Sequence, residues 1–232
     1  MQKLSVIIPV YNEEQTILQV LRKVYDFSCE DFEKEIIVVD DGSTDKSPGI
    51  LKSAQTEYGF LFFSHDKNFG KGAAIRTGFE KATGDIITVQ DADLEYEPAD
   101  LIPILAEFKK PETQVVFGSR NINPHKRGYW HFVLGVKILT KIINLLFNAN
   151  LTDSYTCYKA FRKEALKKIE LNSSGFEIEA EITVKFLKAG YKITEVPIDY
   201  SPRRFSEGKK IGWIDGYKGF LTIIKIWIKK LP

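Results

Sequence analysis

Glu35-Ile36-Ile37-Val38-Val39 runs straight into Asp40-Asp41-Gly42-Ser43-Thr44-Asp45. The first stretch is a near-continuous apolar run. A strand of that kind belongs to a parallel sheet covered by helices on both faces. The second stretch is built of turn formers, and it caps a following helix. The same succession recurs on either side. Upstream, Leu4-Ser5-Val6-Ile7-Ile8-Pro9-Val10 reads as a strand whose pairing ends at Pro9. Tyr11-Asn12-Glu13-Glu14 then opens a helix to about residue 24, with Asn12 as its N-cap and both glutamates at the positive end of the dipole. Downstream, Phe60-Leu61-Phe62-Phe63 is a third strand, and Lys71-Gly72-Ala73-Ala74-Ile75-Arg76 begins a helix after a glycine-bearing loop. A fourth strand, Asp85-Ile86-Ile87-Thr88-Val89, leads into Gln90-Asp91-Ala92-Asp93.

This β-α-β-α-β-α-β order, with right-handed crossovers, makes a parallel sheet. Ligands of such sheets bind outside the carboxyl ends of the strands, where the strand order switches. That rule gathers residues 9–13, 40–45 and 91–93 around one crevice. Asp91 and Asp93 are two apart, so on extended backbone they project from one face. Two hard oxygen ligands there suit Mg²⁺ or Mn²⁺ bridging to a diphosphate. A solvated turn would carry the same pair. The two other polar loops, falling independently at strand ends, favour the metal and a nucleotide. No Gly-Lys-Ser/Thr follows the right strand, and the first strand leads into Pro9-Val10-Tyr11-Asn12-Glu13 without glycine. Walker and dinucleotide sites are thereby excluded.

The second half is less regular. Residues 114–118 read as a strand leading to Ser119-Arg120, and Thr156-Cys157-Tyr158-Lys159-Ala160-Phe161 as another. Residues 175–181 open a helix to about residue 189, and residues 192–200 form a last strand. A length of 232 residues suits one large α/β domain with a short appendage. We place one domain at residues 1–212, divided into halves at 1–120 and 121–212. Residues 213–232 form a basic amphipathic helix.

The formal charge is +2, but residues 203–232 alone carry eight Lys or Arg against two acids. Such a tail can meet nucleic acid, membrane phosphates or a phosphorylated substrate. Cys29 and Cys157 show neither a metal spacing nor a disulfide framework. The first apolar run is too short for a signal peptide and contains Pro9. The expected location is cytoplasmic, on the cytoplasmic face of a membrane.

Three segments carry a family resemblance: Val6-Ile7-Ile8-Pro9-Val10-Tyr11-Asn12-Glu13, Val38-Val39-Asp40-Asp41-Gly42-Ser43-Thr44-Asp45 and Gln90-Asp91-Ala92-Asp93. In this order they resemble the motifs of family 2 glycosyltransferases with the GT-A fold. Gly118-Ser119-Arg120, Asp153 with Thr156-Cys157-Tyr158-Lys159, Phe176-Glu177, and Pro202-Arg203 with Gly208-Lys209-Lys210 resemble the polyprenyl-phosphate branch, which includes dolichyl-phosphate mannose synthase. Many members have Cys-Gly-Phe where this chain has Cys157-Tyr158, and Gln or another residue at Glu95. These departures bear on sugar and acceptor.

The resemblance implies a Rossmann-like, mostly parallel sheet and an inverting hexose transfer. The donor would be of the GDP-mannose or UDP-glucose type, the acceptor a polyprenyl phosphate, and no nucleic acid would be involved. By analogy Pro9, Tyr11, Glu13, Val39 and Asp41 hold the nucleoside, and Lys71 is assigned to the nucleotide with them. Asp91, Ala92 and Asp93 hold the diphosphate through Mg²⁺ or Mn²⁺. Arg120 and Arg203, with Lys209, hold phosphates. The leaving nucleoside diphosphate must be neutralised, which a metal and pre-placed cations accomplish. A lipid phosphate is already anionic and needs no strong base. A hydroxyl acceptor needs a carboxylate to take its proton, and Asp153 or Glu177 is then the candidate. A nucleotide-sugar-binding protein without catalysis is a third reading, against which the intact Asp91 and Asp93 count. His65, His125 and His131 show no partner spacing and receive no role.

Residues 129–147 are apolar enough to suggest a span. Lys137, Lys141, Asn144 and Asn148 nevertheless form one polar stripe, which makes an amphipathic helix. Residues 217–230 repeat the pattern, with Lys218, Thr222, Lys225 and Lys229 on one side. Both faces are expected to meet a membrane peripherally; packing on the sheet or in a homodimer is the alternative.

Overall fold

The computed structural model describes residues 1–29, 31–123, 130–203 and 210–229. Its centre is a seven-stranded sheet in the order β3-β2-β1-β4-β6-β5-β7. The strands are β1 (Gln2–Val10), β2 (Phe32–Asp40), β3 (Leu61–Ser64), β4 (Ile86–Val89), β5 (Val115–Ser119), β6 (Lys159–Arg162) and β7 (Ile193–Pro197). β1 pairs in parallel with β2 and with β4, as β2 does with β3 and β5 with β7. β6 alone runs antiparallel, between β4 and β5. The chain leaves β1 towards β2 and β3, then returns past it to β4. The strand order therefore switches between β1 and β4, where a crevice opens at their carboxyl ends.

The apolar runs form the core as their patterning requires. Leu4, Val6, Ile7 and Ile8 of β1, Ile37, Val38 and Val39 of β2, and Ile86 and Ile87 of β4 are all fully buried. Helices α1 (Ile17–Asp26), α2 (Ser47–Tyr58), α3 (Lys71–Lys81) and α4 (Leu101–Ala106) complete the first half. α3 approaches β1 so closely that a Cβ on Gly78 would lie 2.3 Å from Ile7 Cγ2. In the second half, α5 (Trp130–Phe147), the short α6 (Lys163–Leu166), α7 (Ile178–Lys188) and α8 (Trp213–Ile228) follow. α5, α7 and α8 share a small core of Leu139, Ile143, Leu151, Ala180, Val184 and Ile223. Among the described residues, no helix is long and apolar enough to cross a membrane.

Three local expectations are corrected. Asn12 is not a helix cap, because α1 starts later, at Ile17. Asn12 instead adopts a left-handed backbone (φ 49°), and its Oδ1 accepts the Thr44 amide at 2.8 Å. A side-chain carbonyl that fits a turn can serve either purpose, and here the neighbouring loop won. Asn144 does not belong to a solvated stripe: it donates to Leu151 O and accepts from Leu151 N at 2.8 and 2.9 Å. The strand expected at residues 156–161 begins only at Lys159, because the preceding residues turn beneath the crevice.

At the opposite end of the sheet, Glu35 ties three elements together. Its carboxylate accepts Ser5 Oγ at 2.5 Å, Thr83 Oγ1 at 2.6 Å and the Thr83 amide at 2.9 Å, and it pairs with Lys3 at 2.7 Å. Burial alone would raise its pKa, but the bonds from Lys3, Ser5 and Thr83 outweigh burial and hold it at about 2. A depressed folded-state pKa stabilises the fold fully above the unfolded value, about 4.3, and that stability is lost as pH falls towards the folded value. Glu35→Gln should therefore cost on the order of 1 kcal/mol or more near neutral pH. The deficit relative to wild type should shrink between about pH 4 and pH 2 in urea-unfolding curves. A deficit that stays constant across that range would contradict the assignment.

Candidate active site

The crevice at the ends of β1 and β4 has a volume of about 370 Å³ and is lined by residues from both halves of the chain. From the first half come Pro9, Tyr11, Glu13, Asp41, Lys71, Asp91, Ala92 and Asp93. From the second come Arg120, Tyr155, Cys157, Glu179, Tyr200, Arg203 and Lys210. Its size lies within the range of pockets that enclose small ligands.

One end is organised by Asp41. This carboxylate, 2% exposed, accepts the amides of Phe69 at 3.0 Å and Gly70 at 2.7 Å. His65 Nδ1 lies 2.7 Å from the same carboxylate, while its Nε2 meets Thr77 Oγ1 at 3.0 Å. His65 thus braces Asp41 against α3. No spacing in the sequence announces this, because the two meet only through the pairing of β2 with β3. Gly70 needs its φ of 98°, and a Cβ there would lie 2.4 Å from Ser174 O. Val39 is fully buried within β2 and does not line the crevice.

Alternating charges surround Asp91 and Asp93. Lys71 Nζ lies 2.7 Å from Asp91 Oδ1 and 3.0 Å from Oδ2, and 3.1 Å from Glu179 Oε1. Glu179 is bound in turn by Lys159, which is buried and also donates to Thr156 O. Burial alone would lower the Lys71 pKa, but Asp91 and Glu179 hold it well above the ordinary lysine value. On the other side, Arg203 Nη2 reaches Asp93 at 3.1 Å and its Nη1 reaches Glu13 at 3.0 Å. Lys210 Nζ meets Glu13 Oε1 at 2.6 Å and also donates to Tyr11 O. Glu95 fastens the same segment, accepting Arg203 N at 2.8 Å and Tyr200 OH at 2.9 Å. Burial, with the charges of Asp91 and Glu95, pushes Asp93 up to about 7 against the pull of Arg203.

Arg120 and Asp153 form a bidentate pair at 2.7 and 2.9 Å. Arg120 also donates to Tyr96 OH at 3.2 Å and lies over the Tyr200 ring, 5.0 Å from its centroid. Asp153 is fully buried and does not line the crevice. Burial alone would raise its pKa, but Arg120 outweighs that and holds it below the ordinary value. A carboxylate so occupied is a support for Arg120. Glu177 turns back on the Gly175 amide at 3.0 Å and is also absent from the lining. Burial pushes the Cys157 thiol well up, which leaves it protonated and unreactive. Lys209 lies outside the described residues. Glu179, Tyr96 and Tyr200 went unnoticed as site residues, because neither their residue types nor their spacing mark them, and Lys159 stood in a family motif without a role.

The chemistry of the donor set decides whether Mg²⁺ or Mn²⁺ fits. Among the described residues, no group of three or more His, Cys, Asp and Glu could hold a metal ion alone. Mg²⁺ characteristically takes one or two carboxylates and completes its shell with water and substrate phosphates. Asp91 and Asp93, side by side in an open crevice, meet that requirement.

A mostly parallel sheet, a switch point between its first and fourth strands, and an acidic pair at the fourth strand's end define a GT-A fold. Glucosyl-3-phosphoglycerate synthase from Mycobacterium tuberculosis, solved with Mn²⁺, uridine diphosphate and glucosyl-3-phosphoglycerate, shares the fold. It superposes with a TM-score of 0.72 at 20% identity, over 97% of this chain and 79% of that one. The chain belongs to glycosyl transferase family 2, whose model matches residues 5–170. It is 32% identical over 214 residues to the dolichol-phosphate mannosyltransferase of Pyrococcus furiosus, covering 90% of this chain and 60% of that protein. It is 30% identical over 219 residues to the low-salt glycan biosynthesis hexosyltransferase of Haloferax volcanii, covering 93% of this chain and 51% of that protein. The chain thus spans between half and three fifths of the length of these relatives. The likeness to the mannosyltransferase agrees with the polyprenyl-phosphate branch read from the sequence.

Proposed function

We propose that this chain transfers a hexose from a nucleoside diphosphate sugar to a polyprenyl phosphate, with inversion at the anomeric carbon. The observation that carries the acceptor is the fate of the two candidate bases. Asp153 is spent on Arg120, and Glu177 turns one oxygen to the Gly175 amide while its other oxygen is buried without a hydrogen-bond partner; neither residue lines the crevice. With neither facing the crevice, an acceptor that is already anionic suits the site better than a hydroxyl. Asp41 and the loop around Tyr11 would take the nucleoside. Asp91 and Asp93 would hold Mg²⁺ or Mn²⁺, which supplies Lewis-acid neutralisation of the leaving diphosphate. Lys71 and Arg203 would orient the donor phosphates, and Arg120 the acceptor phosphate.

The outer faces of α5 and α8 fit a lipid acceptor. Leu134, Ile138, Leu145, Trp213, Tyr217, Leu221, Trp227 and Ile228 are all exposed. Exposed Lys137, Lys141, Lys218 and Lys225 lie among them. Apolar side chains set among lysines suit the interface of an anionic membrane, each cation contributing about 1 kcal/mol near the surface. These faces support a peripheral position at a membrane, which we propose to be on the cytoplasmic face expected from the sequence.

The test is sugar transfer from UDP-glucose and GDP-mannose, with Mg²⁺ or Mn²⁺, to polyprenyl phosphate in anionic vesicles and to soluble sugars. A lipid-linked product is expected, formed faster than any soluble one. Vesicle binding should weaken with salt as screening shortens the reach of the lysines. Polar residues at Trp227 and Ile228 should reduce vesicle binding more than donor affinity. Faster transfer to a soluble sugar, with no vesicle binding at any ionic strength, would establish the hydroxyl acceptor instead. Nucleotide binding without transfer would leave a binding protein, and self-association through α5 and α8 would assign those faces to a homodimer.

A further inference from the structure

Lys71 occupies both oxygens of Asp91, one of the two carboxylates assigned to the divalent ion. It does so from a specific seat. Glu179 touches the same ammonium at 3.1 Å and is itself anchored from below by buried Lys159. The order of charges is Lys159, Glu179, Lys71, Asp91, so Lys71 lies between two carboxylates within reach of both. Glu179 is 6% exposed and cannot swing into solvent, and Lys159 is 1% exposed. Nothing in the proposed transfer requires this second carboxylate. Its placement has a consequence for the ion, because Lys71 can release Asp91 without leaving its ion pair with Glu179.

We infer that Lys71 is an exchangeable cation that holds Asp91 until nucleoside diphosphate and divalent ion arrive together, and that Glu179 is the positioning residue that receives it. The inference rests on the metal site proposed above. A divalent ion arriving alone at Asp91 meets an ammonium already there, and the repulsion between them weakens its binding. An arriving diphosphate draws Lys71 off Asp91 and brings oxygens of its own. Each ligand thereby prepares the site for the other, and the coupling is reciprocal.

The experiment measures Mn²⁺ binding by electron paramagnetic resonance, without nucleotide and with saturating UDP or GDP. Wild type should bind Mn²⁺ about tenfold or more tightly when the nucleoside diphosphate is present, a coupling of ordinary allosteric size. Lys71→Met should bind Mn²⁺ more tightly than wild type without nucleotide, and its gain on adding nucleotide should be smaller than that of wild type, limited to what the diphosphate oxygens themselves supply. Lys71→Arg, which keeps the charge, should retain the coupling. Glu179→Gln, leaving Lys71 with Asp91 alone, should weaken Mn²⁺ binding most in the nucleotide-free state.

If Lys71→Met tightened Mn²⁺ binding equally in both states, Lys71 would act only as a distant charge and the inference would fall. It would also fall if wild type showed no coupling, or if Glu179→Gln changed only the melting temperature. Each of those results leaves the metal site standing. An absence of Mn²⁺ binding to wild type, even with nucleotide, would remove both the site and the inference.

Discussion

Asp91→Asn and Asp93→Asn are each expected to lower turnover by about 10²-fold or more, the scale seen when a preorganised electrostatic group is removed from an active site. Both side chains line the crevice at the end of β4, whose strand residues are buried. An amide in place of either carboxylate removes an anionic oxygen from the pair assigned to the ion while keeping the shape. Lys71 would still find Glu179, and Arg203 would still find Glu13, so the surrounding ion pairs survive. The fold should therefore persist, with a melting temperature near that of wild type. The loss should appear in kcat for nucleoside diphosphate release rather than in unfolding. Wild-type transfer in EDTA, or in either variant, would remove the ion from the reaction.

Asp153→Ala should be strongly destabilising, by up to about 3–5 kcal/mol, because it removes the buried counter-charge of Arg120, whose own side chain is only 18% exposed. Arg120 receives both carboxylate oxygens of Asp153, which is fully buried. Replacing both partners by apolar residues of similar volume should recover much of that stability, since a buried pair is weak in net terms although costly to break. Transfer should not recover with it, because Arg120 lines the crevice and Asp153 does not. Urea unfolding paired with transfer kinetics separates the two effects. Asp153→Asn supplies a further discriminator. If Asp153 only positions Arg120, the pH–rate profile keeps its shape at reduced height. Loss of an acid limb would make Asp153 the general base and bring back the hydroxyl acceptor.

The backbone plan was legible in the chain because it depends on local pattern. Residues 36–39 are apolar without alternation, and only a strand covered on both faces tolerates that. The polar endings after β1, β2 and β4 followed from the same reading, since a parallel sheet places successive carboxyl ends on one edge. Pro9, Tyr11, Glu13, Asp41, Lys71, Asp91, Ala92 and Asp93 accordingly meet at one crevice.

Only the tertiary structure decided which charges those residues keep for a ligand. Asp153 and Glu177 look equally available in sequence, yet one is locked to Arg120 and the other folds back on Gly175. His65 and Glu179 carry no mark of function until β3 brings the first to Asp41 and α7 brings the second to Lys71. Periodicity records which face of an element is buried, since burial repeats along the chain. An ion pair between residues 108 apart, like that of Lys71 with Glu179, has no period and exists only where two elements cross. Coulomb energy depends on distance and surroundings in space, and the order of residues along the chain specifies neither.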